Sequence, residues 1–288
     1  MSRLSHSTIY TRIHFLLSNM RPIFSQLRHN GTVEIDLGIV GVALVVGLLV
    51  GLTGVGAGAA MTPALVGLFG VPIPVAIATD LLFATITKAI GVLVHGRAGR
   101  VDWQLAKKLW SGSIPAVAIG SIVLVGFVAA GHTAWLLWLL LAFVLLTSIT
   151  LLRRGLKPHR NDAPDTPSSS PRWLAPLGGA GVGLGVSLTS VGAGVLGMAL
   201  LVRLSPRDTA PQRLVATDLL HAIPIALIAG TSYALSGLVD LPLLIALLMG
   251  SIPGVILGAL ASRWIPARAM NIGLGIILAS LAIVLVVS

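Results

Sequence analysis

The chain has 288 residues, 56% of them hydrophobic and 10% charged, with a formal net charge of +10. A water-facing domain carries about 25% charged residues, so this composition cannot cover a soluble surface, and lipid must be the main solvent. The chain contains no cysteine, which excludes disulfides and thiolate metal sites. The surplus Lys and Arg falls between apolar runs, where it reads as a topology signal and lipid-headgroup contact rather than a nucleic-acid footprint.

Residues 1–35 form a polar, basic N-terminal arm, with Arg3, Arg12, Arg21 and Arg28 and no acidic residue before Glu34. Its apolar run Ile13 to Leu17 is too short for the hydrophobic core of a signal peptide, and Met20 is a second candidate start. Eight apolar segments follow, over 36–69, 73–95, 105–128, 133–152, 174–202, 214–235, 241–262 and 269–287. A spanning helix needs about 20 apolar residues. These segments are too long and too uniform for barrel strands, so the expected fold is an all-α polytopic membrane protein. The stretch RRGLKPHRNDAPDTPSSSPR, Arg153 to Arg172, is polar and rich in Pro and Ser. It predicts an extramembrane linker over 153–173 between a first membrane repeat, 36–152, and a second, 174–288.

The two halves share a motif set in one order. Val55-Gly56-Ala57-Gly58 returns as Val191-Gly192-Ala193-Gly194, and Ala78-Thr79-Asp80-Leu81-Leu82 as Ala216-Thr217-Asp218-Leu219-Leu220. Gly99 with Val101-Asp102 returns as Gly237 with Val239-Asp240, and Gly112-Ser113-Ile114-Pro115 as Gly250-Ser251-Ile252-Pro253. The offset is 136 for the first match and 138 for the other three. This predicts two four-segment repeats with glycine-broken first helices, an architecture many transporters share.

Two orientations fit. If all eight segments cross, the halves run parallel, and Arg203, Arg207, Arg213, Arg263 and Arg268 face outside, against the positive-inside rule. If 36–69 and 174–202 bend back at their glycines, the halves are inverted. Those five then join Arg97, Arg100, Lys107, Lys108, Arg153, Arg154, Lys157, Arg160 and Arg172 inside, at the cost of placing the N-terminal arginines outside.

Three features could carry chemistry. The first is the glycine break, with Thr53, Gly56 and Gly58 in one half and Thr189, Gly192 and Gly194 in the other. A helix restarting there would present free N–H groups and a positive dipole end to an anion; the alternative is close helix packing through small residues. It is not a nucleotide loop, since neither Lys-Ser nor Lys-Thr follows. The second is the acidic pair Asp80 and Asp218, each early in an apolar segment, read either as coupling or gating carboxylates or as helix caps. His221, one turn beyond Asp218, joins them. The third is Lys88, deep in an apolar run and about 12 Å along the helix from Asp80. It would hold an anionic substrate, or else snorkel to the interface. Its counterpart in the second half is Ala226. No catalytic, metal or cofactor motif is present.

The runs GLTGVGAGAAMTPALVGLFGVPIPVAIATDLL, KAIGVLVHGRAGRVDW and GSIPAVAIGS resemble the first half of the TauE/SafE sulfite exporter family, and the second half repeats the set more weakly. The resemblance covers roughly residues 36 to 287. It implies an inner-membrane permease of about eight helices, a Gly-x-x-Pro-Gly-like turn, and secondary transport of a sulfur oxyanion or organosulfonate. Asp80 and Asp218 stand where that family often has Ser, and Ser113-Ile114-Pro115-Ala116 departs from Pro-Gly where Ile252-Pro253-Gly254 keeps it. The resulting expectation is a secondary anion transporter in the cell inner membrane. Lys88 and the glycines would bind substrate, and protons are the candidate coupling ion. The alternatives are a cation or proton channel with Asp80 and Asp218 as filter, and a non-transporting membrane scaffold.

Overall fold

The computed structural model describes residues 37–53, 58–95, 101–156, 173–192, 194–206, 209, 211–261 and 264–287. The N-terminal arm, Gly56 and most of the linker lie outside them. The described residues form ten helices and no strand. They are α1 (Leu37–Thr53), α2 (Gly58–Phe69), α3 (Ile73–His95), α4 (Trp103–Ala129), α5 (Ala134–Leu156), α6 (Leu174–Thr189), α7 (Val195–Leu204), α8 (Pro211–Leu235), α9 (Leu241–Ala261) and α10 (Ala267–Val287).

Six of them, α3, α4, α5, α8, α9 and α10, are long and apolar enough to cross a bilayer. The other two apolar segments, 36–69 and 174–202, divide at their glycine-rich stretches into α1 with α2 and α6 with α7. The second division has a visible cause. Ser190 ends α6 in the left-handed region at φ 57°, and Gly192 adopts φ 116°, which a side chain would oppose. The linker is also shorter than expected at its start, because α5 continues through Arg153 and Arg154 to Leu156.

The packing sets the direction of every helix. In α1 and α9, Gly250 abuts Val40, Gly254 abuts Leu44 and Gly258 abuts Leu48, so the two helices run parallel with backbones in close contact. Side chains of ordinary size at these positions would collide with backbone, which is the use of small residues in membrane helix packing. The equivalent pair, α4 and α6, repeats this with Gly179 on Leu109 and Gly183 on Ser113. Gly112 to Pro115 thus lies inside α4, and the turn expected there is instead a mid-helix contact surface.

α3 and α8 run antiparallel and are pinned at both ends. The Asp240 N–H, just after α8, donates to Thr79 Oγ1 at 3.1 Å near the start of α3. The Asp102 N–H, after α3, donates to Thr217 Oγ1 at 3.0 Å near the start of α8. Each aspartate also caps the next helix, accepting from the N–H of Leu105 (3.0 Å) or Leu243 (2.9 Å). This accounts for the recurrence of Val-Asp in the two halves. α5 and α10 also run antiparallel, with Gly155 against Arg268 and Gly275 against Leu152.

Connectivity then places both ends of the α1–α2 unit at one end of the bundle, and both ends of α6–α7 at the other. α1 starts beside the start of α9, and α2 leads through Gly70 to Pro72 into α3. Along α3, the apolar stretch Ile73–Ile90 is 72% buried, against 33% for α5 and for α10, so α3 is the central span and α5 and α10 are outer ones. The outward faces are apolar, with Ile119, Ile122, Trp138, Ile276, Ile283 and Val286 exposed, as a lipid-facing surface requires.

Candidate functional site

Asp80 and Asp218 each lie seven residues past the first residue of α3 and α8, so neither caps its helix. Both are buried, at 0% and 1% exposure. Taking a carboxylate out of water is costly unless hydrogen bonds replace the lost hydration. The Asp80 site supplies them: Thr62 Oγ1 donates to Asp80 Oδ2 at 2.6 Å and Ser190 Oγ donates to the same oxygen at 2.9 Å. Ser190 is the left-handed residue of the α6–α7 break, so the break in the second half is tied to the carboxylate of the first half's central helix.

Asp218 has no such support. Among the described residues, neither of its carboxylate oxygens accepts a hydrogen bond. The sequence explains this through the offsets of the two halves. The counterpart of Thr62 is Met198, and that of Ser190 is Gly54; neither carries a hydroxyl. The residue before Thr62 is Met61, and its counterpart is Gly197, where a Cβ would collide with Asp218 Oδ1. The carboxylate therefore lies against the first turn of α7, in space that a side chain would fill.

Lys88, at 3% exposure, does not snorkel. Its ammonium lies within electrostatic reach of Asp218 and of Asp80, yet among the described residues neither carboxylate forms a salt bridge with it. Arg154, on the helical extension of α5, also lies within reach of Asp218. His221 Nε2 and Ser113 Oγ are 3.0 Å apart, while His221 Nδ1 is buried with no hydrogen-bond partner among the described residues. The Trp110 Nε1–H donates to the His221 carbonyl at 3.2 Å, which ties this part of α8 to α4. The mirror interface between α9 and α3 has Phe83 where His221 stands, and the counterpart of Ser113, Ser251, has a buried and unpartnered hydroxyl.

The glycine break contributes less directly. Thr53 closes α1 and Gly58 opens α2, but the Thr53 side chain lies outside the described residues, as does Gly56. In the second half, the Gly192 carbonyl accepts from the N–H groups of Leu196 and Gly197, both at 3.1 Å, and Gly194 precedes the first turn of α7. Thr189 is committed to the helix end: its hydroxyl donates to the Gly185 carbonyl at 2.7 Å and accepts from the Val191 N–H at 3.2 Å. The site thus brings together Lys88, Asp80, Asp218 and His221. It adds Thr62, Ser190, Ser113 and Arg154, which sequence reasoning did not assign to it. A sign of Ser190 was available, as the one hydroxyl substituted into a repeated glycine motif; Thr62 and Arg154 carried none.

Comparison with known proteins now decides the family. The family model described as sulfite exporter TauE/SafE matches residues 39–285. The chain belongs to the TauE/SafE sulfite exporter family. The chain is 37% identical over 253 residues to the probable membrane transporter protein YjnA of Bacillus subtilis (strain 168), covering 85% of this chain and 98% of that one. It is 26% identical over 237 residues to a second probable membrane transporter protein of that organism, YdhB, covering 79% of this chain and 91% of that one. No solved structure matches the chain. Membership of TauE/SafE and six spanning-length apolar helices identify a multi-pass membrane protein of a transporter family. In a protein of that kind, ionisable side chains held away from lipid are where solute and coupling chemistry concentrate.

Proposed function

We propose that the protein is a secondary transporter of a small anion, of the sulfur-oxyanion or organosulfonate class, built as two inverted four-segment repeats. The antiparallel course of α3 and α8, the equivalent threonine clasps at their two ends and the entry of the two broken hairpins from opposite ends support the inverted arrangement. It also collects the basic loops at one end, where the positive-inside rule places the cytoplasm: Arg213 meets Asp102, and Gly155, beside Arg154, meets Arg268.

The observation that carries the substrate reading is the buried Lys88. An ammonium at 3% exposure in the most buried span needs a counter-charge. Two carboxylates lie in reach, and neither closes on it. An anion meeting Lys88 would complete the pairing, and a proton entering with it would offset the negative charge of Asp218 beside the site. That coupling makes anion and proton move together. An ammonium in reach of both carboxylates argues against their forming a cation filter.

The test is uptake of radiolabelled sulfite, sulfate, thiosulfate and an organosulfonate into proteoliposomes, with and without an inwardly directed proton gradient. Saturable uptake of one anion, stimulated by the gradient, is expected. Gradient-independent uptake would remove proton coupling, and absence of uptake of every anion by folded, inserted protein would remove the anion reading.

A further inference from the structure

Asp218 offers two buried acceptor oxygens and, among the described residues, receives no donor. Its carboxylate is held against Gly197 of α7, in reach of Lys88 from α3 and Arg154 from α5, with His221 one turn further along α8. Its counterpart, Asp80, is supplied with two hydroxyl donors, from Thr62 and Ser190. At Asp218 both donors are gone, and the adjoining side chain is reduced to glycine. A buried acceptor next to a buried cation is the complement of a ligand that is both negatively charged and a hydrogen-bond donor.

We infer that Asp218 is the specificity-determining residue of the anion site, accepting a hydrogen bond from the substrate's own proton, so that the site selects singly protonated oxyanions over anions without a proton. The inference rests on the transporter reading above and deepens it. Lys88 takes the charged oxygen and Asp218 takes the O–H. No proton changes owner in binding; the hydrogen bond is shared between substrate oxygen and carboxylate. A fully deprotonated dianion such as sulfate would set lone pairs against the carboxylate. A monoanionic sulfonate would match the charge but leave the buried acceptor unpaired, and a polar site rejects an analogue that lacks the group it was built to bond. The proton that accompanies transport would then arrive on the substrate rather than on the carboxylate.

The experiment uses the full chain in proteoliposomes and in detergent, with three labelled probes at one mildly acidic pH. Hydrogensulfite has one charge and a proton, methanesulfonate one charge and no proton, and sulfate two charges and no proton. Uptake and equilibrium binding are measured for the wild type, Asp218→Asn and Asp80→Asn. The wild type is expected to favour hydrogensulfite over methanesulfonate by roughly 10- to 100-fold, the worth of one hydrogen bond to a charged group. Asp218→Asn, whose amide can donate to any oxyanion, should erase most of that preference in binding, and Asp80→Asn should keep it. Equal handling of hydrogensulfite and methanesulfonate by the wild type would overturn the inference, because a carboxyl protonated from solvent could donate to either. An unchanged ratio in Asp218→Asn, or equal loss of binding of all three probes, would also overturn it and leave the transporter reading standing. Failure of the wild type to bind or move any probe would remove that reading and this inference with it.

Discussion

The two central helices carry the same Ala-Thr-Asp-Leu-Leu motif, yet their carboxylates live in different surroundings. Asp80 on α3 accepts from Thr62 and Ser190. Asp218 on α8 accepts from no donor among the described residues and instead shares an electrostatic field with Lys88 and Arg154. At the two motif-matched positions the surroundings differ by a handful of residues: Thr62 against Met198, Met61 against Gly197, Lys88 against Ala226, Phe83 against His221. One carboxylate becomes a structural tie between a hairpin break and a central span. The other, in the proposed reading, is free to meet the substrate.

The contrast breaks most visibly at Lys88. Replacing it with alanine should lower anion uptake by roughly 100-fold or more, as expected for removal of one partner from a desolvated charge contact, while the protein still inserts and elutes as a single species from detergent. Full uptake by Lys88→Ala would return both halves to equal status and take the lysine out of the site.

The Asp80 side should break in stability. Thr62→Val removes one of two hydrogen bonds to a buried carboxylate, with an expected cost of about 1.5–3 kcal/mol, read as a lower thermal midpoint in detergent. The converse substitution, Met198→Thr, places a hydroxyl where the equivalence of the halves brings it to Asp218. It should raise the midpoint while slowing uptake, because it gives Asp218 the tie that Asp80 already has. A destabilised Met198→Thr that transports normally would show that the two carboxylate environments are not equivalent in space.

Much of this architecture could be read from the sequence, because membrane helices announce themselves through long apolar runs. Six of the eight segments became spanning-length helices with ends close to those expected. The glycine-rich motif marked where the other two divide, since φ 116° at Gly192 needs a residue without Cβ. Lys88 and the two aspartates stood out because ionised groups are rare in such segments. What stayed hidden was relational. Thr62 is an ordinary hydroxyl in α2, and only the fold of the hairpin aims it at Asp80. Arg154 looked like part of a polar linker, since nothing in a run of basic residues tells where a helix ends; the continuation of α5 carries its charge toward Asp218. For the Gly112-Ser113-Ile114-Pro115 motif, the family resemblance implied a turn, within an apolar segment read as 105–128. Pro115 is instead accommodated inside α4, where the neighbouring glycine meets α6.

The smaller effects lie at the clasps joining α3 and α8. Thr79→Val and Thr217→Val each leave one backbone N–H, of Asp240 or Asp102, without its acceptor. Each should cost about 0.5–1.5 kcal/mol, again measured by thermal unfolding. The two clasps differ in one respect: Arg213 approaches Asp102 at 3.4 Å, whereas its counterpart, Val75, has no charge to offer Asp240. Both partners are partly open, with side chains 51% and 29% exposed. Such a pair contributes about 0–1 kcal/mol and is weakened further by salt. Arg213→Ala should therefore lower the midpoint by less than Thr217→Val does, and the gap from wild type should close as salt is raised. If Arg213→Ala instead costs more than Thr217→Val, and the cost persists in high salt, the clasp at that end is held by charge rather than by the backbone hydrogen bond. The two ends of the α3–α8 pair would then open by different physics, and an alternating transporter would open one of them in a salt-dependent way and the other not.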